Sequence, residues 1–165
     1  MSTESVPPTR TSKGGRARIR ARRCAVQALY QWQLGGADPS DILREFVAER
    51  EIVNADLSLF EALTRGVPRH LAELESEVDA VIDRPIRSLD PVERAILLIG
   101  AYELRHCLET PCRVVINEAI ELEKMFGAEQ GHRYINTALD RLAHRLRAEE
   151  MRTPAGTASQ SSRQT

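Results

Sequence analysis

Asp90-Pro91-Val92-Glu93-Arg94-Ala95-Ile96-Leu97-Leu98-Ile99-Gly100-Ala101-Tyr102-Glu103-Leu104 is the stretch on which the fold turns. Asp90 stands at an N-cap, Pro91 at the first helical position and Glu93 at the third, a close variant of the capping box. The helix they open is apolar nearly all round. Such a helix belongs at the centre of a bundle, because no face of it suits water.

Amphipathic helices follow on both sides. Thr110-Pro111 starts one whose buried face is Val115, Ile116, Ala119, Ile120 and Phe126, with Gly127 as its C-terminal cap. The last carries Ile135, Ala138, Leu139, Leu142 and Leu146 at i, i+3, i+4 and i+7 spacing. Upstream, Arg16 to Leu34 lacks Gly and Pro and sets Ala25, Ala28, Leu29 and Trp32 on one face, and Gly35-Gly36 ends it. Asp38-Pro39 caps a helix with Ile42, Leu43, Phe46 and Val47 inward. Asp56 caps another with Leu57, Phe60, Leu63 and Val67 inward, running on through Leu71, Leu74, Val78 and Val81 with a bend or break at Gly66 and Pro68. No stretch alternates apolar and polar residues long enough for a strand. The expected fold class is all-α, with short loops between antiparallel neighbours. Residues 1–15 and 151–165 hold too little apolar surface to offset ordering entropy and are expected to be a disordered arm and tail.

Composition narrows the function. The chain has 165 residues, 42% hydrophobic, 28% charged and 4% aromatic, which suits one folded domain or two small lobes. Its longest apolar or small run, Ala95 to Tyr102, is too short for a bilayer that needs about 20 residues. No secretory signal is readable, so the expected compartment is the cytoplasm and no membrane partner is expected. Cys24, Cys107 and Cys112 make neither a disulfide framework nor a zinc pattern, and no metal or cofactor is expected. P-loop, G-x-S-x-G, H-E-x-x-H and G-x-G-x-x-G sequences are absent. Glu118 and Glu121 share a helix face, but surface helices carry such pairs routinely. The chain reads as a binding protein, not an enzyme.

Charge says what it binds. Residues 1–33 carry seven cations against Glu4 alone, a net of +6 that leaves −7 for the rest of a chain whose total is −1. Arg16, Arg18, Arg20, Arg22 and Arg23 run into the first helix ahead of Tyr30 and Trp32. Arg16, Arg20 and Arg23 fall near one face, and Arg18 and Arg22 near another. Guanidinium groups pair with phosphates and stack on bases, and exposed aromatics such as Tyr30 and Tyr134 offer single-stranded RNA a stacking surface. A protein-binding adaptor with a merely solubilising arm and a general DNA-binding helical protein remain alternatives.

Arg23-Cys24-Ala25-Val26-Gln27-Ala28-Leu29-Tyr30-Gln31-Trp32-Gln33 resembles the first helix of the NusB family of bacterial transcription antitermination factors. Val92 to Leu97, Ala101 to Leu104, Val114 to Leu122, Phe126 to Glu129, Tyr134-Ile135-Asn136 and Leu139-Asp140 resemble it further, in order, over about residues 18–147. The resemblance implies two small helical subdomains, here about 16–84 and 85–150. It implies a complex with NusE, the tenth small-subunit ribosomal protein, bound to boxA RNA in leader transcripts including those of ribosomal RNA. That complex would join a Nus-factor-modified RNA polymerase elongation complex. By position it implies RNA contacts at Arg18, Arg20, Arg22, Tyr30, Glu129, Gln130, Gly131, His132 and Tyr134, and a NusE contact at Glu93. Gln130 stands where some relatives carry Asp and Tyr134 where some carry Phe, changes that keep hydrogen bonding and stacking; Ile19 interrupts a basic cluster and is expected to weaken one phosphate contact.

Overall fold

The computed structural model describes residues 13–49 and 52–152. The arm at 1–12, Arg50-Glu51 and the tail at 153–165 lie outside the described residues, and so does most of the expected disorder. The apolar stretch forms helix α5 (Pro91–His106), with Ala95, Ile96, Leu97, Leu98, Ala101 and Leu104 wholly buried. Around it pack α1 (Lys13–Gly35), α3 (Leu57–Arg69), α4 (Leu71–Asp79), α6 (Cys112–Phe126) and α7 (Gly131–Leu146). Helix α2 (Pro39–Ala48) leans on α1 and α3, and α8 (Ala148–Arg152) follows α7. One hydrophobic core runs from Ala21 in α1 to Ala143 in α7. Gly100 lets α5 and α7 close up: a Cβ there would lie 2.8 Å from Leu139 Cδ1.

The caps explain most boundaries. Asp38 accepts from Ser40 N at 2.8 Å, Asp56 from Leu59 N at 3.0 Å and Asp90 from Val92 N at 3.1 Å. Glu93 does not complete a capping box; its carboxylate lies against Gly131 instead. The bend or break expected at Gly66 and Pro68 over 57–81 falls at His70, between α3 and α4; Pro68 itself lies inside the last turns of α3. Two expected ends are corrected. Residues 13–15, assigned to the arm, are the first turn of α1. Met151 and Arg152, assigned to the tail, belong to α8.

Arg147 and Glu150 hold that end. Arg147 is buried and donates to the carbonyls of Glu103, Leu104, Cys107 and Thr110 at 2.6–2.9 Å, which satisfies the C-terminal carbonyls of α5. Glu150 Oε2 accepts from Cys112 N at 2.7 Å and so caps α6, which begins after Pro111 without a side-chain cap of its own. The three cysteines form no disulfide and are buried, and burial pushes the thiols of Cys107 and Cys112 up to about 11. Among the described residues no helix is long and apolar enough to cross a membrane.

Candidate nucleic-acid interface

Helix α1 sorts its arginines by the helical period. Arg16, Arg20, Arg23, Gln27, Tyr30 and Leu34 fall on one stripe at steps of three or four residues. Arg16 and Arg20 are exposed, Arg23 is half-buried, and Tyr30 and Leu34 are 40% and 60% exposed. The stripe measures about 21 Å from Arg16 to Tyr30 at 1.5 Å per residue. A guanidinium row leading to an open aromatic ring is a surface suited to a phosphate backbone followed by a base.

Arg18 and Arg22 point the other way. Arg22 is a correction: expected on the RNA surface, it is 3% exposed. Its Nε and Nη2 donate to Glu103 Oε2 and Oε1, both at 2.8 Å, a bidentate pair inside the bundle. Burial alone would pull the guanidinium's pKa down; the bonds and charge of Glu103 outweigh it, and the net shift is upward. The physical reason is position: Arg22 follows Ala21 and precedes Ala25 and Val26 on the face turned to α5. Arg18 is exposed but flanks α6, where burial raises the carboxyl of Glu118 while Arg22 and Arg18 hold it back.

The second region is the α6–α7 turn. Glu129 and Gln130 are exposed, His132 is half-buried with Nδ1 3.2 Å from the Glu129 carbonyl, and Gly131 is buried. Tyr134, half-buried one turn into α7, donates its hydroxyl to Asp83 Oδ1 at 3.4 Å. The guanidinium carbon of Arg84 lies 5.7 Å from its ring centroid. Tyr134 therefore turns toward the α4–α5 connection and not toward α1.

Beneath the turn lies a residue that sequence reasoning missed. Glu123 is 0% exposed, and among the described residues neither carboxylate oxygen makes a hydrogen bond of good geometry. Burial first, then the charges of Glu93 and Asp90, push its carboxyl up to about 7. A Cβ on Gly127 or Gly131 would collide with this carboxylate, and one on Gly131 would lie 2.8 Å from Glu93 Oε2. Glu93 thus adjoins the turn.

The N-terminal end of α5 links the two regions. Gln33, near the end of α1, donates through Nε2 to the Pro91 carbonyl at 2.9 Å and accepts from Arg94 Nη1 at 3.0 Å. Arg94 also pairs with Glu75 of α4 at 2.7 Å, and Arg87 joins the same carboxylate at 3.0 Å. Glu93, in the turn beside Arg94, meets Gly131. The Tyr30 end of the α1 stripe and the 127–132 turn therefore flank one helix end.

A model of the NusB family matches residues 19–144. The transcription antitermination protein NusB of Nitrosococcus oceani is 51% identical over 138 residues, 84% of this chain and 93% of that protein. The NusB of Nitrosomonas europaea is 44% identical over 158 residues, 93% of this chain and 95% of its own length. Among solved structures, antitermination factor NusB in a crystal with NusE and double-stranded RNA superposes with a TM-score of 0.71 at 29% identity, covering 79% of this chain and 98% of that one. NusB of T. maritima superposes at 0.70 and 25% identity, covering 90% and 98%. The family match runs from within α1 to within α7, and the chain belongs to the NusB family.

Proposed function

We propose that this chain is a transcription antitermination factor that binds boxA RNA together with ribosomal protein NusE, joins the Nus-factor-modified polymerase and supports ribosomal RNA transcription in the cytoplasm. The observation that carries the reading is the α1 stripe: Arg16, Arg20 and Tyr30 open to solvent on one helix with Arg23 half-buried among them, inside a family whose relatives are antitermination factors. It acts by binding and is not an enzyme. Phosphate contacts from the arginines fix register, and base contacts from Tyr30, Tyr134 and residues 129–132 supply preference. Glu93 is the NusE contact; the division into subdomains near residue 84 belongs to the same reading. A solved relative binds NusE and double-stranded RNA, which favours duplex RNA as a second ligand.

Anisotropy titrations with single-stranded boxA, a scrambled strand and a duplex, each with and without NusE, test this. Cooperative tightening by NusE on boxA alone is expected. With Arg22 buried and Arg18 on the opposite face, Arg16, Arg20 and Arg23 give a slope of log affinity against log salt of about −2.1 on a single strand. A slope near zero, or equal affinity for the scrambled strand, refutes it. Preference for the duplex moves the ligand to the second reading.

A further inference from the structure

At the opposite end of α5 from Glu93, His106 closes the helix against the α3–α4 junction. His70 occupies that junction and Glu73 follows one turn later in α4, so the pair shares a face. His106 Nε2 lies 3.0 Å from Glu73 Oε1, and His70 Nδ1 lies 3.7 Å from the same oxygen. All three donor atoms fall within 4.8 Å of one another. Four ligands about a zinc ion at 2.0–2.2 Å stand roughly 3.3 Å apart, so side-chain rotation of about 1 Å closes the set.

The geometry favours a cation there over a plain ion pair. The imidazole centroids are 4.4 Å apart, and one carboxylate oxygen, Glu73 Oε1, faces a ring nitrogen of each. A single divalent ion there would be shared by both imidazoles and the carboxylate. Arg105 Nε sits 3.4 Å from Glu73 Oε2 and Arg105 Nη1 2.9 Å from Glu77, which leaves Oε1 turned to the imidazoles. The side chains are 38%, 37% and 28% exposed for His70, Glu73 and His106, so a water can complete the coordination. Tyr102, 4.9 Å from the His106 ring, walls one side. Sequence spacing hides the set, because His70 lies at the α3–α4 junction and His106, 36 residues on, ends α5.

We propose that His70, Glu73 and His106 form a binding site for a borderline divalent cation of the zinc type, which clamps the start of α4 to the end of α5. Two nitrogens and one oxygen select zinc, cobalt or nickel over magnesium or calcium. The test is calorimetric titration of the full chain with zinc chloride and with magnesium chloride, beside thermal melts. One zinc per chain and a zinc-dependent rise in Tm are expected, with no magnesium binding. His106→Ala and Glu73→Gln should abolish both zinc effects while His144→Ala keeps them. Should His106→Ala fail to fold, Glu73→Gln decides alone, since it removes the charge and keeps the shape. Absence of zinc binding, or zinc binding unchanged in Glu73→Gln and His106→Ala, overturns the proposal.

Discussion

Replacing Arg22 by Met separates burial from RNA contact. Arg22 and Glu103 are 3% and 2% exposed at the side chain and joined by two bonds of 2.8 Å. Met fills the alkyl part of the site but leaves Glu103 as a buried carboxylate without its partner. Breaking a buried pair in this way costs about 3–5 kcal/mol. For a folded body of this size, about 3 °C per kcal/mol turns that into a fall in Tm of about 9–15 °C. The double variant Arg22→Met with Glu103→Leu removes both charges and recovers most of the loss, because two apolar side chains of similar volume need no compensation. Circular dichroism melts of the wild type, both single variants and the double variant measure the cycle. RNA affinity, taken well below every transition, stays at the wild-type value, and the salt slope stays near −2.1. An Arg22→Met protein that melts like the wild type, yet binds RNA more weakly with a slope shallower by about 0.7, would refute the assignment and return Arg22 to the phosphate contacts.

Tyr134→Ala should weaken boxA binding by about 1–3 kcal/mol if a base stacks on the ring; unchanged affinity in the folded variant removes Tyr134 from the site. Glu123 has a carboxyl raised to about 7 from an ordinary 4.5, so between those values the fold holds a proton that the unfolded chain has given up. Stability then falls as pH rises through that window, by at most about 1.4 kcal/mol per pH unit. Glu123→Gln should flatten the fall in urea melts at pH 5, 6, 7 and 8, and parallel curves for variant and wild type would contradict the burial argument. Gly100→Ala sets a methyl group 2.8 Å from Leu139 Cδ1 and should lower stability by about 1–3 kcal/mol; a denaturant midpoint equal to that of the wild type would show that α5 and α7 part at no cost.

Helix α5 was legible because its signals agree at every level: a capping Asp, Pro at the first position, and an apolar surface too broad for any place but the centre. The arginines of α1 were legible as a group and illegible as individuals. Their number spoke for a nucleic-acid partner and the helical period split them into two faces, but a count of cations does not tell the two faces apart. Arg22 is decided by Glu103, 81 residues away, and no neighbour of either residue announces the other. Tyr134 shows the same limit, since its company is Arg84 and Asp83 across the α4–α5 connection.

A signal was nonetheless present. Arg22 stands on the stripe of Ala25, Val26 and Leu29; Glu103 adjoins Leu104 and follows Ile99 by one turn; Glu123 sits one turn beyond Ala119. Each is a charge at a position where the helical period demands an apolar side chain. A buried charge is tolerated only when it is paired, metal-bound or neutralised. Arg22 and Glu103 take the first course with each other. Glu123 finds no cation, is crowded by Glu93 and two glycines, and takes the third by keeping its proton. Charges set on apolar stripes thus come either in opposite-sign pairs on facing helices or singly at a titrating site. Applied to α1 and α5, that rule matches Arg22 with Glu103 by sign alone, and it leaves Glu123, under the turn that the resemblance assigns to RNA, as the residue with no opposite charge to meet.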